Sequence, residues 1–114
     1  MTNENDIRKL RQGNFVVNNG IVMRAVNLLR MHFNKLSGVQ KLLFQRDGII
    51  EADFLDSLNF LVRAGYIELR EISSKRPVIL ADCDYRTLEA IITEKGIRLA
   101  AGSIHDDLVE VCLL

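Results

Sequence analysis

The chain has 114 residues, with 15 Lys and Arg against 15 Asp and Glu, 48% apolar residues and two cysteines. That is enough for one hydrophobic core and too little for two. The composition excludes a disordered chain, and no apolar run approaches the roughly 20 residues that cross a bilayer. The zero net charge hides an asymmetry, because residues 1–50 hold eight Lys and Arg against three acids and residues 51–114 hold seven against twelve. A neutral total suits nonspecific nucleic-acid binding poorly, since that depends on neutralising phosphates. A polarised molecule can still offer one basic face, or pair its basic face with the acidic face of another copy. No charged-then-apolar leader opens the chain, and Cys83 and Cys112 fit no Cys-x-x-Cys pattern, so a cytoplasmic setting is expected.

Residues 1–18 read as an N-terminal extension, partly helical around Asp6–Arg11, with Arg8, Lys9 and Arg11 as a basic arm or simply a frayed end. Asn19-Gly20 between β-branched runs is a hairpin signal. Against it, Ile21, Val22, Ala25, Val26, Leu28, Leu29 and Phe33 fall on one face at helical spacing. The spacing predicts a first helix over about 19–34, capped by Asn18 or Asn19. Ser37 is the expected cap of a short second helix over 38–46 that buries Val39, Leu42 and Leu43. After the Asp47-Gly48 turn, Phe54, Leu55, Leu58, Leu61 and Val62 mark a third helix over 51–64, with Gly65 placed for a left-handed C-cap.

Alternation from Tyr66 to Ile72 predicts a half-buried strand, followed by a basic turn at Ser73–Pro77. Val78-Ile79-Leu80 reads as the returning strand. The stretch up to Ile92 fits either a further strand or a helix, and the strand is favoured. Thr93 is the expected N-cap of a last helix ending before Gly102. Residues 103–114 form an apolar tail that must pack on its own domain or on another chain.

Phe54–Ile67 resembles the "aL.yL…Gyi" stretch of winged helix-turn-helix transcriptional regulators, and Ile92–Leu99 is similar to the "LTekGirlL" stretch after their wing. Gly102–Asp107 adds a weaker likeness to small winged-helix proteins of Mu-like phages and prophages. The resemblance implies an α+β winged-helix domain over 19–102, with helix 51–64 reading double-stranded DNA and the wing tip touching phosphates. It points to a DNA-binding regulator of transcription, of phage or prophage origin by the weaker likeness.

 The competing implication is a winged helix that serves as a protein-interaction module without DNA.

Position by position, the resemblance makes Ser57, Asn59 and Arg63 the base or phosphate partners on the reading helix. Lys75 and Arg76 belong to the wing tip, with Lys35 and Lys41 around the second helix and Arg24 and Arg30 on the first as supporting bases. Asp53, Asp56 and Phe60 share the outer side of the reading helix. Glu51, Asp53 and Asp56 depart from the pattern: carboxylates in the first turns favour the helix dipole but repel phosphates. A homodimer would set two reading helices about one DNA turn apart, with Ile7, Leu10, Val109, Val111 and Leu113 as candidate contacts. No nucleophile elbow, phosphate loop, dinucleotide fingerprint or zinc-ligand spacing occurs. The expectation is therefore a non-enzyme without cofactor, metal or small-molecule ligand; His105-Asp106-Asp107 lacks the further His or Cys that a metal site calls for.

Overall fold

The computed structural model describes residues 4–111, with side chains from residue 14 onward. Among these residues the elements run α1 (Glu4–Asn27), β1 (Asn34–Lys35), α2 (Leu36–Asp47), α3 (Glu51–Arg63), β2 (Ile67–Glu71), β3 (Leu88–Ile92) and α4 (Glu94–Ala100). Four helices and a three-stranded antiparallel sheet in the order β1-β3-β2 make the chain α+β.

The first helix begins well before position 19 and stops at Asn27 rather than at 34. Asn19 is therefore no cap; it is buried inside α1 and its Nδ2 donates to the Leu108 carbonyl at 2.8 Å. Residues 28–31 are good helix formers, so local propensity does not end α1. The sheet ends it: Asn34 and Lys35 pair with Ala90 and Glu89, and a chain held extended there cannot also stay helical. The Asn34 side chain secures the intervening turn by donating to the His32 carbonyl at 3.2 Å. Leu28 and Leu29, expected inside, are exposed.

The second helix starts at Leu36, with Lys35 rather than Ser37 in the cap position, and it buries Leu36, Val39 and Leu43 while Leu42 faces out. In α3 the buried stripe is Phe54, Ser57, Leu58 and Leu61. Gly65 follows with φ +85°, in the left-handed region expected of it. The strand after it pairs with β3 from Ile67↔Ile92 to Glu71↔Leu88.

Val78-Ile79-Leu80 is not the returning strand. Pro77, just before it, makes a single bridge to Arg70, and the chain then passes through a 3-10 turn at Leu80–Asp82 and another at Tyr85–Thr87. Leu88–Ile92 takes that place because it satisfies strands on both of its edges, β1 and β2, which a segment opening with Pro77 is ill suited to do. Thr93 caps α4 as expected, its hydroxyl accepting from Gly96 N–H at 3.1 Å.

The core joins Val22, Met23 and Val26 of α1 to Leu36, Leu43, Phe54, Leu58, Leu61, Ile67, Leu88 and Leu99. Burying each such side chain is worth about 1.5–3 kcal/mol over leaving it in water. The tail closes the core from outside α1. Val109 is buried, Val111 packs half-buried against the core, and Glu110 N–H donates to the Val16 carbonyl at 3.1 Å. Val109 and Val111 are thus taken up by their own chain. Of the other dimer candidates, the Ile7 and Leu10 side chains and Leu113 lie outside the described residues.

Candidate functional site

The candidate site is the outer side of α3 together with the connection between β2 and β3. Burial of Phe54, Leu58 and Leu61 orients the helix, so its remaining stripes are dictated by the 3.6-residue period. One flank lies against α1. The Phe15 and Phe60 rings meet edge to face, 5.5 Å between centroids. Asn14, Phe15 and Asn18 share a cavity of about 420 Å3 with Asp53, Asp56 and Ser57. Ser57 is fully buried, and its hydroxyl has no hydrogen-bond partner among the described residues. A base edge has no path to it.

The opposite flank faces the 80–86 segment across a groove of about 440 Å3, lined by Glu51, Leu55, Asn59, Leu80, Ala81, Cys83, Asp84, Tyr85 and Arg86. Arg86 holds this wall in place. Its guanidinium reaches Glu51 of α3 at 3.1 Å and Asp84 at 3.2 Å, and lies 5.0 Å from the centre of the Tyr85 ring. Tyr85 in turn packs on Phe54, 5.9 Å between ring centroids. Burial first, and then the nearby Glu51 carboxylate, push the Tyr85 phenol above its ordinary value.

The predicted wing-tip bases behave differently from one another. Lys75 has φ +61°, a left-handed conformation uncommon outside glycine. Its Nζ lies 3.1 Å from Oε1 of Glu89, the oxygen that Arg70 Nε reaches at 2.6 Å. The Arg70 guanidinium also lies 3.5 Å from the centre of the Phe33 ring. Hydrogen bonding from Arg70 lowers the Glu89 pKa against the opposing effect of burial, with Lys75 adding to the fall. Lys75 and Arg76 are both exposed, but Lys75 is ion-paired to Glu89, whereas Arg76 has no ion pair among the described residues. Asn59, Arg63, Lys35 and Lys41 are exposed. Lys35 stands opposite Glu89 in the β1–β3 register, on the same side of the sheet as Arg70.

Sequence reasoning missed Phe33, Arg70 and Glu89. Alternation marks Arg70 as outward and leaves Glu89 at an ordinary solvent position; only the register brings the two together. The stretch at Thr93–Gly96 proves to be structural. Thr93 Oγ1 donates to the Gly65 carbonyl at 2.6 Å and Lys95 Nζ to the Ala64 carbonyl at 3.0 Å, so both cover carbonyls at the end of α3. Gly96 has no room for a side chain, because a Cβ there would stand 2.3 Å from the Tyr66 carbonyl oxygen.

His105 Nε2 lies 2.8 Å from Asp107, while Asp106 accepts from the Tyr66 hydroxyl and from Leu108 N–H. No group of three or more His, Cys, Asp and Glu side chains converges among the described residues, and no described helix is long and apolar enough to cross a membrane. No protein-family model, no curated protein and no solved structure matches this chain.

Proposed function

We propose that this chain is a winged-helix module that binds protein and does not read DNA through α3. The order helix, strand, two helices, strand, long connection, strand, with the sheet arranged β1-β3-β2, supports the winged-helix reading. Residues 72–87 are then the wing.

One observation carries the choice of partner: α3 has a wall on each flank. A major groove about 12 Å wide receives a helix about 10–12 Å across, so a reading helix must stand clear on both sides. Here Phe15 covers Phe60 on one side and the 80–86 segment lines the other. What α3 still exposes opens with Glu51, Asp53 and Asp56, which repel phosphates. The test is titration of random duplex DNA against the protein over a range of salt. The expected result is no measurable binding at physiological salt. Tight binding with a steep salt slope, the mark of counterion release, would overturn the proposal.

A DNA-binding regulator is the second reading, favoured by the exposed Arg76, Lys35, Lys41 and Arg63. On that reading the phosphates meet these bases rather than α3. Replacing Lys35 and Lys41 by Ala would then lower the salt slope by about one for each base removed, and Ser57→Ala would leave binding unchanged.

A further inference from the structure

Two surfaces of this molecule complement each other and have no residue in common. The first is a prong. Where α1 ends, Leu28, Leu29 and Met31 are 68%, 59% and 85% exposed. Three large aliphatic side chains within four residues form one apolar projection, a feature that soluble surfaces ordinarily avoid unless it is to be covered. Its collar is basic: Arg30 lies in the same turn, with Arg24 before it and Lys35 after it, all exposed. No Asp or Glu occurs anywhere from residue 7 to residue 46.

The second surface is the groove between α3 and the 80–86 segment, about 440 Å3 and floored by Leu55, Leu80, Ala81 and Tyr85. Pockets of about 300–1,000 Å3 are the usual size for a bound group. Exposed Ile50 and Ile79 neighbour lining residues in the chain. The lining carries two acids, Glu51 and Asp84, against a single base, Arg86, which pairs with both. An apolar prong with a basic collar and an apolar groove with an acidic rim therefore occur on one chain.

Building on the reading of the chain as a protein-binding module, we infer that its partner is a second copy of itself. The prong at residues 28–31 of one copy seats in the groove between α3 and residues 80–86 of the next. Charge decides for a second copy over an unrelated partner: three exposed bases, Arg24, Arg30 and Lys35, flank the prong, and the groove lining holds two acids against one base, so each surface finds its complement on the same molecule. The two surfaces differ, so the contact is head to tail and continues into a ring or filament rather than closing as a two-fold pair.

Sedimentation velocity over a range of protein and salt concentrations tests this with the full chain and two exposed-site variants. One variant combines Leu29→Glu with Met31→Glu in the prong; the other combines Asn59→Lys with Ala81→Lys, two exposed residues that line the groove. Circular dichroism confirms that each keeps its fold. The wild type should form species that grow with protein concentration and shrink with salt. Each variant should associate about tenfold or more weakly, as loss of a central apolar anchor with its charge requires. An equimolar mixture of the two should yield a heterodimer and stop there, because one intact prong then meets one intact groove. A wild type that stays monomeric, variants that associate as the wild type does, or a mixture no larger than its parts would each overturn the pairing. So would a monomeric wild type that binds phosphatidylglycerol vesicles through the prong. A monomeric wild type leaves the protein-module reading standing, whereas steep salt-dependent DNA binding defeats that reading and not the pairing.

Discussion

Glu89 sits at the middle of the sheet with a nearly buried carboxylate, while its partners Arg70 and Lys75 keep 30% and 54% of their side chains in solvent. Loss of either side of the pair should therefore have unequal effects. Arg70→Ala leaves the nearly buried carboxylate with Lys75 as its remaining cation and should cost about 2 kcal/mol, within the range for a hydrogen bond to a charged group. Glu89→Gln leaves cations that water can reach, and should cost about 1 kcal/mol. Urea denaturation of both variants measures the difference, and equal costs would contradict the burial argument. The pH dependence follows from the same contact. Arg70 holds the Glu89 pKa below its ordinary 4.5, so the unfolded chain takes up the proton first as the pH falls. The stability from Glu89 is whole above that ordinary value and is lost as the pH drops through the lower, folded value. The gap in stability between wild type and Glu89→Gln should accordingly narrow in acid. A second pair of substitutions tests steric room. Gly96→Ala drives a Cβ into the Tyr66 carbonyl and should cost about 1–3 kcal/mol. Gly38→Ala, with nothing within 4 Å inside α2, should gain about 0.5–1 kcal/mol.

At the level of elements, α3 was the most legible part of the chain, because five apolar residues at helical spacing outweigh every local alternative. Leu58→Ala should cost about 2–5 kcal/mol as a fully buried core truncation, whereas Asn59→Ala on the exposed side should change stability by less than about 0.5 kcal/mol. The end of α1 was not legible. Leu28-Leu29-Arg30-Met31 has the residue types of a helix, and only the pairing of Asn34 with Ala90, far along the chain, pulls the backbone out of it. The returning strand was misplaced for a related reason: Val78-Ile79-Leu80 has strand composition, but β3 already gives β2 its partner. The site was partly legible. Asn59, Arg63, Lys35, Lys41 and Arg76 lie at the surface as expected. Ser57 was misread because the apolar pattern gives no sign that α1 reaches far enough back to cover it. The pairing of Lys75 with Glu89 was not legible, because the left-handed backbone at Lys75 does not show in the residue type.

Across the whole molecule, the tail ties distant parts of the sequence together. Glu110 passes so close to α1 that a Cβ on Gly20 would come within 1.9 Å of its carbonyl oxygen. Gly20→Ala should therefore displace the tail, and proteolysis near position 110 should become faster while the sheet persists. Asp106 extends the same tie to the residue before β2 by accepting from the Tyr66 hydroxyl. Burial, followed by that hydrogen bond, pushes the Tyr66 phenol up to about 12. Because the folded value is raised, this contribution is whole below the ordinary 10 and disappears as the pH rises through about 12. Alkaline titration should show phenolate absorbance appearing later in the native protein than in urea, and Asp106→Asn should reduce the delay.

The contact between Gly20 and Glu110 should also make the packing of α1 wait on a distant part of the chain. An early helix waits for a segment made some ninety residues later, given the 89-residue separation of Asn19 and Leu108. A nascent chain arrested before position 108 should hold a first helix without its outer cover, and it should remain open to chaperones until residues 108–110 can dock on α1.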